Sequence, residues 1–165
     1  MATVLGISVA EENKARFAYA QEWAKRAGRV LQHRLSMGSA GEIVLLSLMK
    51  LRGYKSHFVE TPAGVQHILE RAGKGELNKI VLFHGLASCG AHYANLARYL
   101  NKYVRGVLLP DSPGHGLSAI PPDEQEQFEY QATVNRAVAE VLDEPAVIFG
   151  NSLGGFLAIR FALAH

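Results

Sequence analysis

Residues 146–154 read AVIFGNSLG, an apolar run followed at once by a polar turn that contains two glycines. A run of this kind is typical of a strand that is buried on both faces of a sheet. The next stretch, 157–163, has the apolar content of a buried helix. The sequence therefore predicts a strand, a tight turn and a helix, with Ser152 at the tip of the turn.

A serine at the tip of such a turn presents its hydroxyl clear of the backbone. The turn is strained, and Gly150 and Gly154 lack the Cβ atoms that would collide across it. The following helix points its N-terminus at the serine, where unpaired N–H groups, that of Leu153 among them, can stabilise an oxyanion. This arrangement is called a nucleophile elbow. An ordinary glycine-rich turn between a strand and a helix is the alternative that this pattern leaves open.

Two further apolar runs end in turns that are rich in glycine and polar residues. The run 80–83 leads into HGLASCG at 84–90, and the run 107–109 leads into PDSPGHGLS at 110–118. In a parallel sheet the polar ends of these strands lie on one side, where the ligand crevice of such sheets is found. We therefore expect these turns to lie around Ser152.

Together the three turns resemble the motifs of the α/β-hydrolase superfamily, and the resemblance covers residues 57–165. It implies an α/β-hydrolase fold with Ser152 as the nucleophile and with the backbone N–H groups of Leu86 and Leu153 as the oxyanion hole. It also implies a structural role for the turn Asp111–Ser118 at the floor of the crevice. The matching motif positions are His84 and Gly85 after the third strand, Asp111, Gly114, Gly116 and Ser118 after the fourth, and Gly150, Ser152 and Gly154 after the fifth.

The same resemblance predicts that the chain holds an incomplete α/β-hydrolase fold, its N-terminal part, with about five of eight strands. In the family the acid and the histidine of the catalytic triad follow the serine along the chain. Here eleven residues follow Gly154, and they read as one helix that ends at His165. His84 and His115 belong to the turns and do not match the triad histidine. We therefore expect a truncated chain without the triad acid and base, whose last strand has an exposed edge.

Residues 1–55 are predicted to form an N-terminal helical segment ahead of the hydrolase part at 56–165. Apolar residues at helical spacing indicate a helix over residues 10–35, whose opposite face is basic. A solvated helix is the simpler interpretation, and a weak peripheral contact with an anionic membrane or a partner is the alternative. A capping-box pattern that starts at Ser39 predicts a second helix, and Gly53 is its natural end.

Turn residues and hydrophobic periodicity predict the remaining elements of the hydrolase part. A hairpin is expected from 57–61 and 65–71, and helices are expected at Ala91–Tyr103 and Gln125–Leu142. The residues expected to face the core are Tyr93, Leu96 and Leu100 in the first helix and Phe128, Ala132, Ala139 and Leu142 in the second.

The composition argues against several classes of function. The 165 residues are 48% hydrophobic and 19% charged, and the net charge of +2 is too small to indicate nucleic-acid binding. One cysteine, Cys89, and no closely spaced histidine pair leave no motif for a metal or another cofactor. The stretch 73–75, GKG, lacks the spacing of a phosphate loop. Without a signal peptide or a long apolar run, we expect a cytoplasmic protein with no transmembrane segment.

These observations predict a serine hydrolase that acts on a small carboxylic ester or thioester through an acyl-enzyme on Ser152. The activity is expected of the complete domain. Residues 150–155 are also similar to the elbow of the meta-cleavage-product hydrolases, which break carbon–carbon bonds. A truncated, non-catalytic remnant or binding module is the third alternative.

Overall fold

The computed structural model describes residue 44, residues 47–119 and residues 132–165. The helix predicted at 10–35 and the predicted helix start at Ser39 lie outside the described residues, and so does the stretch 120–131. The division of the chain at residue 55 stays a prediction.

The described elements alternate between strands and helices after an opening hairpin. In chain order they are α1 (47–51), β1 (Lys55–Thr61), β2 (Gly64–Ala72), β3 (Lys79–Phe83), a 3-10 turn (Gly90–Tyr93), α2 (Ala94–Leu100), β4 (Gly106–Pro110), α3 (Thr133–Val141), β5 (Ala146–Gly150) and α4 (Leu153–Ala164).

The five strands form one mixed sheet in the order β1-β2-β4-β3-β5. β1 and β2 form a hairpin in which Thr61 pairs with Gly64, and β2 runs antiparallel to β4. β3 lies between β4 and β5 and is parallel to both. The predicted α/β fold class, with a hairpin followed by parallel strands, is confirmed. The turns that follow β3, β4 and β5 are thereby brought to one edge of the sheet.

The core lies on both faces of the sheet, because helices cover each side of the central strands. Neighbouring residues such as Leu82 and Phe83 are buried on opposite faces of the sheet. Because both faces are covered, every position of β3 and β4 favours an apolar residue, and their sequences are unbroken apolar runs. The buried cluster on one face contains Met49, Tyr54, Leu69, Leu82, Cys89, Ala91, Ala97, Val104, Val107 and Leu109. The cluster on the other face contains Ile68, Val81, Phe83, Leu108, Val134, Ala137, Val138, Leu157 and Phe161.

Two predicted helices differ from the observed ones in length and in the face that they bury. A 3-10 turn opens the first. Tyr93 and Leu100 pack against the core as predicted, but Leu96 is 39% exposed while Ala97 is fully buried. The second is helical from Thr133 within the described residues. Its fully buried apolar positions are Val134, Ala137 and Val138; Ala132, Ala139 and Leu142 are only partly buried, and Phe128 lies outside the described residues.

The predicted end of the second helix at Gly53 is confirmed, and its hydrogen bonds are those of a Schellman motif. Gly53 has a φ of +83°. The N–H of Tyr54 donates to the carbonyl of Met49 at 3.1 Å, and the N–H of Gly53 donates to that of Lys50 at 3.0 Å. Met49 and Tyr54 are buried in one cluster, which supplies the apolar contact that accompanies this motif.

Replacing Gly53 by alanine is expected to lower the free energy of unfolding by about 1 kcal/mol, because a Cβ disfavours the left-handed conformation. No atom lies within 4 Å of the added Cβ, so the loss of stability measures the cost of the backbone conformation and not a steric clash. Gly53→Asn is the matched control, since asparagine tolerates this conformation better. Urea unfolding measures all three proteins, and an alanine variant as stable as the parent would contradict the expectation.

β5 forms one edge of the sheet and has no strand on its outer side among the described residues. Val147 and Phe149 on β5 are 54% and 43% exposed. Ile159 and Leu163 on the neighbouring α4 are exposed as well.

In the ranges that the structure covers, no helix has the length and apolar content needed to cross a membrane.

Candidate active site

The strand-to-helix turn at Ser152 has strained backbone geometry. Ser152 lies at the N-terminus of α4 with φ +53° and ψ −120°. Residues other than glycine rarely adopt this backbone conformation. The turn is held to the neighbouring strand by a hydrogen bond from the Asn151 N–H to the carbonyl of Phe83 at 3.2 Å. The start of α4 is anchored at its other side by Asn135, whose side-chain amide donates to the carbonyl of Leu157 at 3.1 Å.

Two glycines permit this tight turn because backbone groups occupy the space that a side chain would need. A Cβ on Gly150 would lie 2.0 Å from the carbonyl oxygen of Gly154. A Cβ on Gly154 would lie 2.2 Å from the oxygen of Phe83 and 2.6 Å from that of His84. The end of β3 and the start of α4 are therefore in direct backbone contact, which fixes where Ser152 sits.

The loop after β3 lies against the elbow. A Cβ added to Gly85 would be 3.2 Å from the oxygen of Asn151 and 3.4 Å from the Cβ of Ser152. Leu86, the next residue, is 73% exposed, and Ala87 has a positive φ of +57°. The structure thus brings Gly85 against Asn151 and Ser152.

His84 joins the loops after β3 and β4. Its Nδ1 donates to the carbonyl of Gly85 at 2.7 Å, and its Nε2 accepts from the N–H of Ser112 at 2.9 Å. Since one nitrogen donates and the other accepts, the ring is neutral, and burial lowers the pKa of His84. Both nitrogens are engaged with the backbone, so His84 does not act as a base for Ser152.

His115 lies beside His84 and makes a similar bridge. Its Nδ1 donates to the carbonyl of Pro113 at 3.0 Å, and its Nε2 accepts from the N–H of Ala87 at 3.3 Å. The two imidazole centroids are 5.2 Å apart. This pair of rings holds the two turns together.

Asp111 is the centre of the turn after β4. Its side chain is almost fully buried and accepts from the N–H groups of Gly90 at 2.7 Å and Leu117 at 3.0 Å and from Nδ1 of His67 at 2.8 Å. Burial favours the neutral acid, but the His67 contact and the two backbone donors outweigh it and hold the pKa of Asp111 below its ordinary value. Gly116, at φ +51°, leaves room for this carboxylate, because its Cβ would lie 2.1 Å from Oδ2.

Sequence reasoning missed His67, although the turn depends on it. His67 on β2 is fully buried, and its backbone N–H donates to Oγ of Ser118 at 2.9 Å. That hydroxyl in turn donates to the carbonyl of Asp111 at 2.6 Å. One signal could have predicted this role. A buried aspartate needs hydrogen-bond donors, and β2, the strand that pairs with β4, contains a histidine.

Other candidates lie apart from the elbow or have no free groups. His165 ends the 12-residue α4, about 18 Å along the axis from Ser152, and its ring packs on Phe161 with centroids 4.9 Å apart. The N–H groups of Gly73, Lys74 and Gly75 each donate to a backbone carbonyl, so this stretch has none to offer a phosphate. In the described part of the chain, no three His, Cys, Asp or Glu side chains are placed to hold a metal ion.

Comparisons with known proteins agree with this geometry. The sequence model of the family described as alpha/beta hydrolase fold matches residues 78–165. A pimeloyl-(acyl-carrier protein) methyl ester esterase of Nitrosospira multiformis is 40% identical over 91 residues, 54% of this chain and 34% of the esterase. A 2-hydroxy-6-oxo-6-phenylhexa-2,4-dienoate hydrolase of Burkholderia cepacia is 35% identical over 106 residues, 59% of this chain and 35% of that hydrolase.

The chain therefore spans about a third of the length of the curated relatives it matches. Among solved structures, an N-acyl homoserine lactonase complexed with N-hexanoyl homoserine is 31% identical, with a TM-score of 0.57. The match covers 67% of this chain and 40% of the lactonase. Because the family match takes in more than half of the sequence and includes all three turns at the edge of the sheet, the chain belongs to the α/β-hydrolase fold family.

Proposed function

We propose that the chain carries the nucleophile of a serine hydrolase that acts on a small carboxylic ester or thioester. Ser152 attacks the carbonyl carbon, the leaving group departs with a proton, and water releases the acyl group from Ser152. The observation that carries the proposal is the strained backbone of Ser152, held between two glycines at which an added Cβ would meet backbone atoms at 2.0–2.2 Å. Such strain is kept where it presents a reactive group.

The proposed oxyanion hole consists of the backbone N–H groups of Leu86 and Leu153. Leu153 opens α4, where N–H groups have no partner within the helix and the helix dipole is positive. Gly85 contacts the elbow, and Leu86 is the next residue, which supports its N–H as the second donor. Within the described residues neither N–H donates to another backbone or side-chain group, so both are free to donate to a developing oxyanion.

We propose that the base for Ser152 comes from outside the described residues. The rings of His67, His84 and His115 are each bonded at both nitrogens. His57 is bonded to Glu70, and His92 is bonded to Ser88. The activity is therefore proposed for the complete hydrolase domain, in which an acid and a histidine complete the triad.

Hydrolysis of a carbon–carbon bond is the second candidate, and a specific similarity favours it. The Burkholderia cepacia relative, named as a dienoate hydrolase, is 35% identical over a stretch comparable to that matched by the esterase. Both reactions use the same elbow, so Ser152 has the same place in either one. The substrate separates them, and the test must compare an ester with a 2-hydroxy-6-oxo-dienoate.

The nucleophile is tested with a fluorophosphonate probe, which forms a covalent bond with an activated serine. Labelling at about pH 9 allows hydroxide to take the place of an absent general base. We expect the label on the tryptic peptide 137–160, which contains Ser152, and its complete loss in Ser152→Ala. Mass spectrometry reads the site of labelling, and circular dichroism checks that both proteins are folded.

A folded protein that takes no label on peptide 137–160 would contradict the proposal and favour a non-catalytic binding module. If the label is present, hydrolysis of p-nitrophenyl butyrate is compared with loss of the absorbance of a 2-hydroxy-6-oxo-dienoate. Competition by only one of these compounds against the probe assigns the substrate class.

A further inference from the structure

A Ser–His–Asp arrangement apart from the elbow joins the hairpin to the turn after β4. Oγ of Ser56 is 3.1 Å from Nε2 of His67, and Nδ1 of His67 is 2.8 Å from Oδ2 of Asp111. We propose that Ser56 is a second activated serine, which accepts acyl or phosphoryl groups from reactive compounds independently of Ser152. The proposal concerns this single transfer to Ser56 and not repeated turnover.

The hairpin register produces this contact. Phe58 pairs with His67 and Ser56 pairs with Leu69, so Ser56 and His67 are diagonal neighbours on one face of β1 and β2. Diagonal neighbours are within reach when one side chain is long, as histidine is. The ring of Phe58 covers the imidazole, with centroids 4.8 Å apart.

The hydrogen bonds around Asp111 determine the direction of the contact with Ser56. Its two oxygens already accept from Gly90 and Leu117, and its pKa is held low, so the carboxylate is charged. Nδ1 of His67 must therefore be the donor to Asp111. The proposal takes the ring as neutral, in which case Nε2 is an acceptor and the Ser56 hydroxyl donates to it.

This is the proton-transfer geometry that activates a serine. Oγ of Ser56 attacks the electrophilic carbon or phosphorus, and its proton passes to Nε2 of His67. The leaving group departs with its bonding electrons, and the carboxylate of Asp111 stabilises the imidazolium. His67 is fully buried while Ser56, on the edge strand, is partly exposed, so a reagent can reach the hydroxyl without water competing for the base.

Ser88 provides an internal comparison. Its Oγ is 3.0 Å from Nδ1 of His92, so it also contacts an imidazole. Within the described residues no carboxylate is bonded to His92, and the contact is exposed. Ser88 therefore serves as the reference, because its labelling rate shows how reactive a serine beside a histidine is without the carboxylate that Asp111 provides to His67.

The test uses the Ser152→Ala chain and the same fluorophosphonate probe at neutral pH. Ser56 is the one serine of the tryptic peptide 56–71, and Ser88 is the one serine of peptide 80–98. We expect peptide 56–71 to be labelled about 10²-fold faster than peptide 80–98, the range of general-base assistance. Labelling of 56–71 at or below the rate of 80–98 in the folded protein would overturn the proposal.

Two further measurements separate activation from simple exposure. His67→Phe removes the imidazole but keeps a ring against Phe58, and it is expected to abolish labelling of peptide 56–71 in a protein that remains folded. Peptide 56–71 is also expected to be labelled more slowly in the urea-unfolded Ser152→Ala chain, where Ser56 is fully exposed but has no base, than in the folded chain. This comparison decides the question if His67→Phe does not fold. If peptide 56–71 is labelled at an unchanged rate both in His67→Phe and in urea, exposure of Ser56 alone accounts for its labelling.

Discussion

Asp111→Asn is expected to lower the free energy of unfolding by about 3 kcal/mol, the upper end of what hydrogen bonds to a buried charged group contribute. The carboxylate accepts three hydrogen bonds, from Gly90, Leu117 and His67. An amide in its place presents an NH₂ group to at least one of these donors, so a buried donor loses its acceptor. Because the total stability of a domain is about 5–15 kcal/mol, this change approaches the limit of folding.

Asp143→Asn is the matched control for Asp111→Asn. The Asp143 side chain is 73% exposed and accepts a hydrogen bond from Lys79 at 2.6 Å. An exposed ion pair of this kind is screened by solvent and contributes little to stability, so this variant should unfold close to the parent. Urea unfolding at neutral pH compares the three proteins, and equal losses in the two variants would refute the central role of Asp111.

The difference in stability between the parent and Asp111→Asn depends on pH because the pKa of Asp111 is lowered. A carboxyl whose pKa is lower in the folded state stabilises the fold above the unfolded pKa, about 3.9 for aspartate. That contribution is lost as the pH falls from there through the folded pKa. The stability gap between the parent and Asp111→Asn should therefore be constant near neutrality and narrow below about pH 4. A gap that widens on acidification would contradict this assignment.

Gly154→Ala is expected to reduce labelling at Ser152 by about 10²-fold, the effect of a displacement near 1 Å at a reacting group. The added Cβ would lie 2.2 Å from the oxygen of Phe83, so the start of α4 must move away from β3. Ser152 caps that helix and moves with it. The same crowding should lower the free energy of unfolding by about 1–3 kcal/mol.

Gly155→Ala, one residue further, is the control for this prediction. A Cβ there meets its nearest neighbour, the oxygen of Gly150, at 3.6 Å, which is an ordinary contact. Alanine is also the better helix former, so this variant should keep both its label and its stability. If both alanines behave alike, the close contact of β3 with α4 does not position Ser152.

The sequence predicted the strands around the elbow well, because burial on both faces leaves a continuous apolar run. β3 and β4 were found in this way, and the glycines at 150 and 154 marked the turn between strand and helix. β5 was also predicted from an apolar run, but the expectation that both of its faces are buried was wrong, since Val147 and Phe149 are exposed. These features are local in the chain. The pattern of residues along a strand therefore contains the information that places them.

Features that depend on distant partners were not predicted. His67 reads as one polar residue in β2, and its role follows only when β2 pairs with β4 and brings it to Asp111. The prediction that Leu96 faces the core was wrong, since Ala97 takes the buried position beside it. Ser56 carries no sequence signal, because its contact with His67 is set by hairpin register.

The order of the strands has a consequence for how the protein folds. The hairpin joins residues that are close in sequence, as the pairing of Thr61 with Gly64 shows. β3, in contrast, pairs its Lys79 with Ala146 of β5, so a long loop must close before that contact forms. Long-range parallel pairing is slow, and local contacts form earlier. We therefore expect the hairpin to form early and the Ser152 turn to be completed among the last parts of the fold, so that a partly folded chain does not yet present its nucleophile.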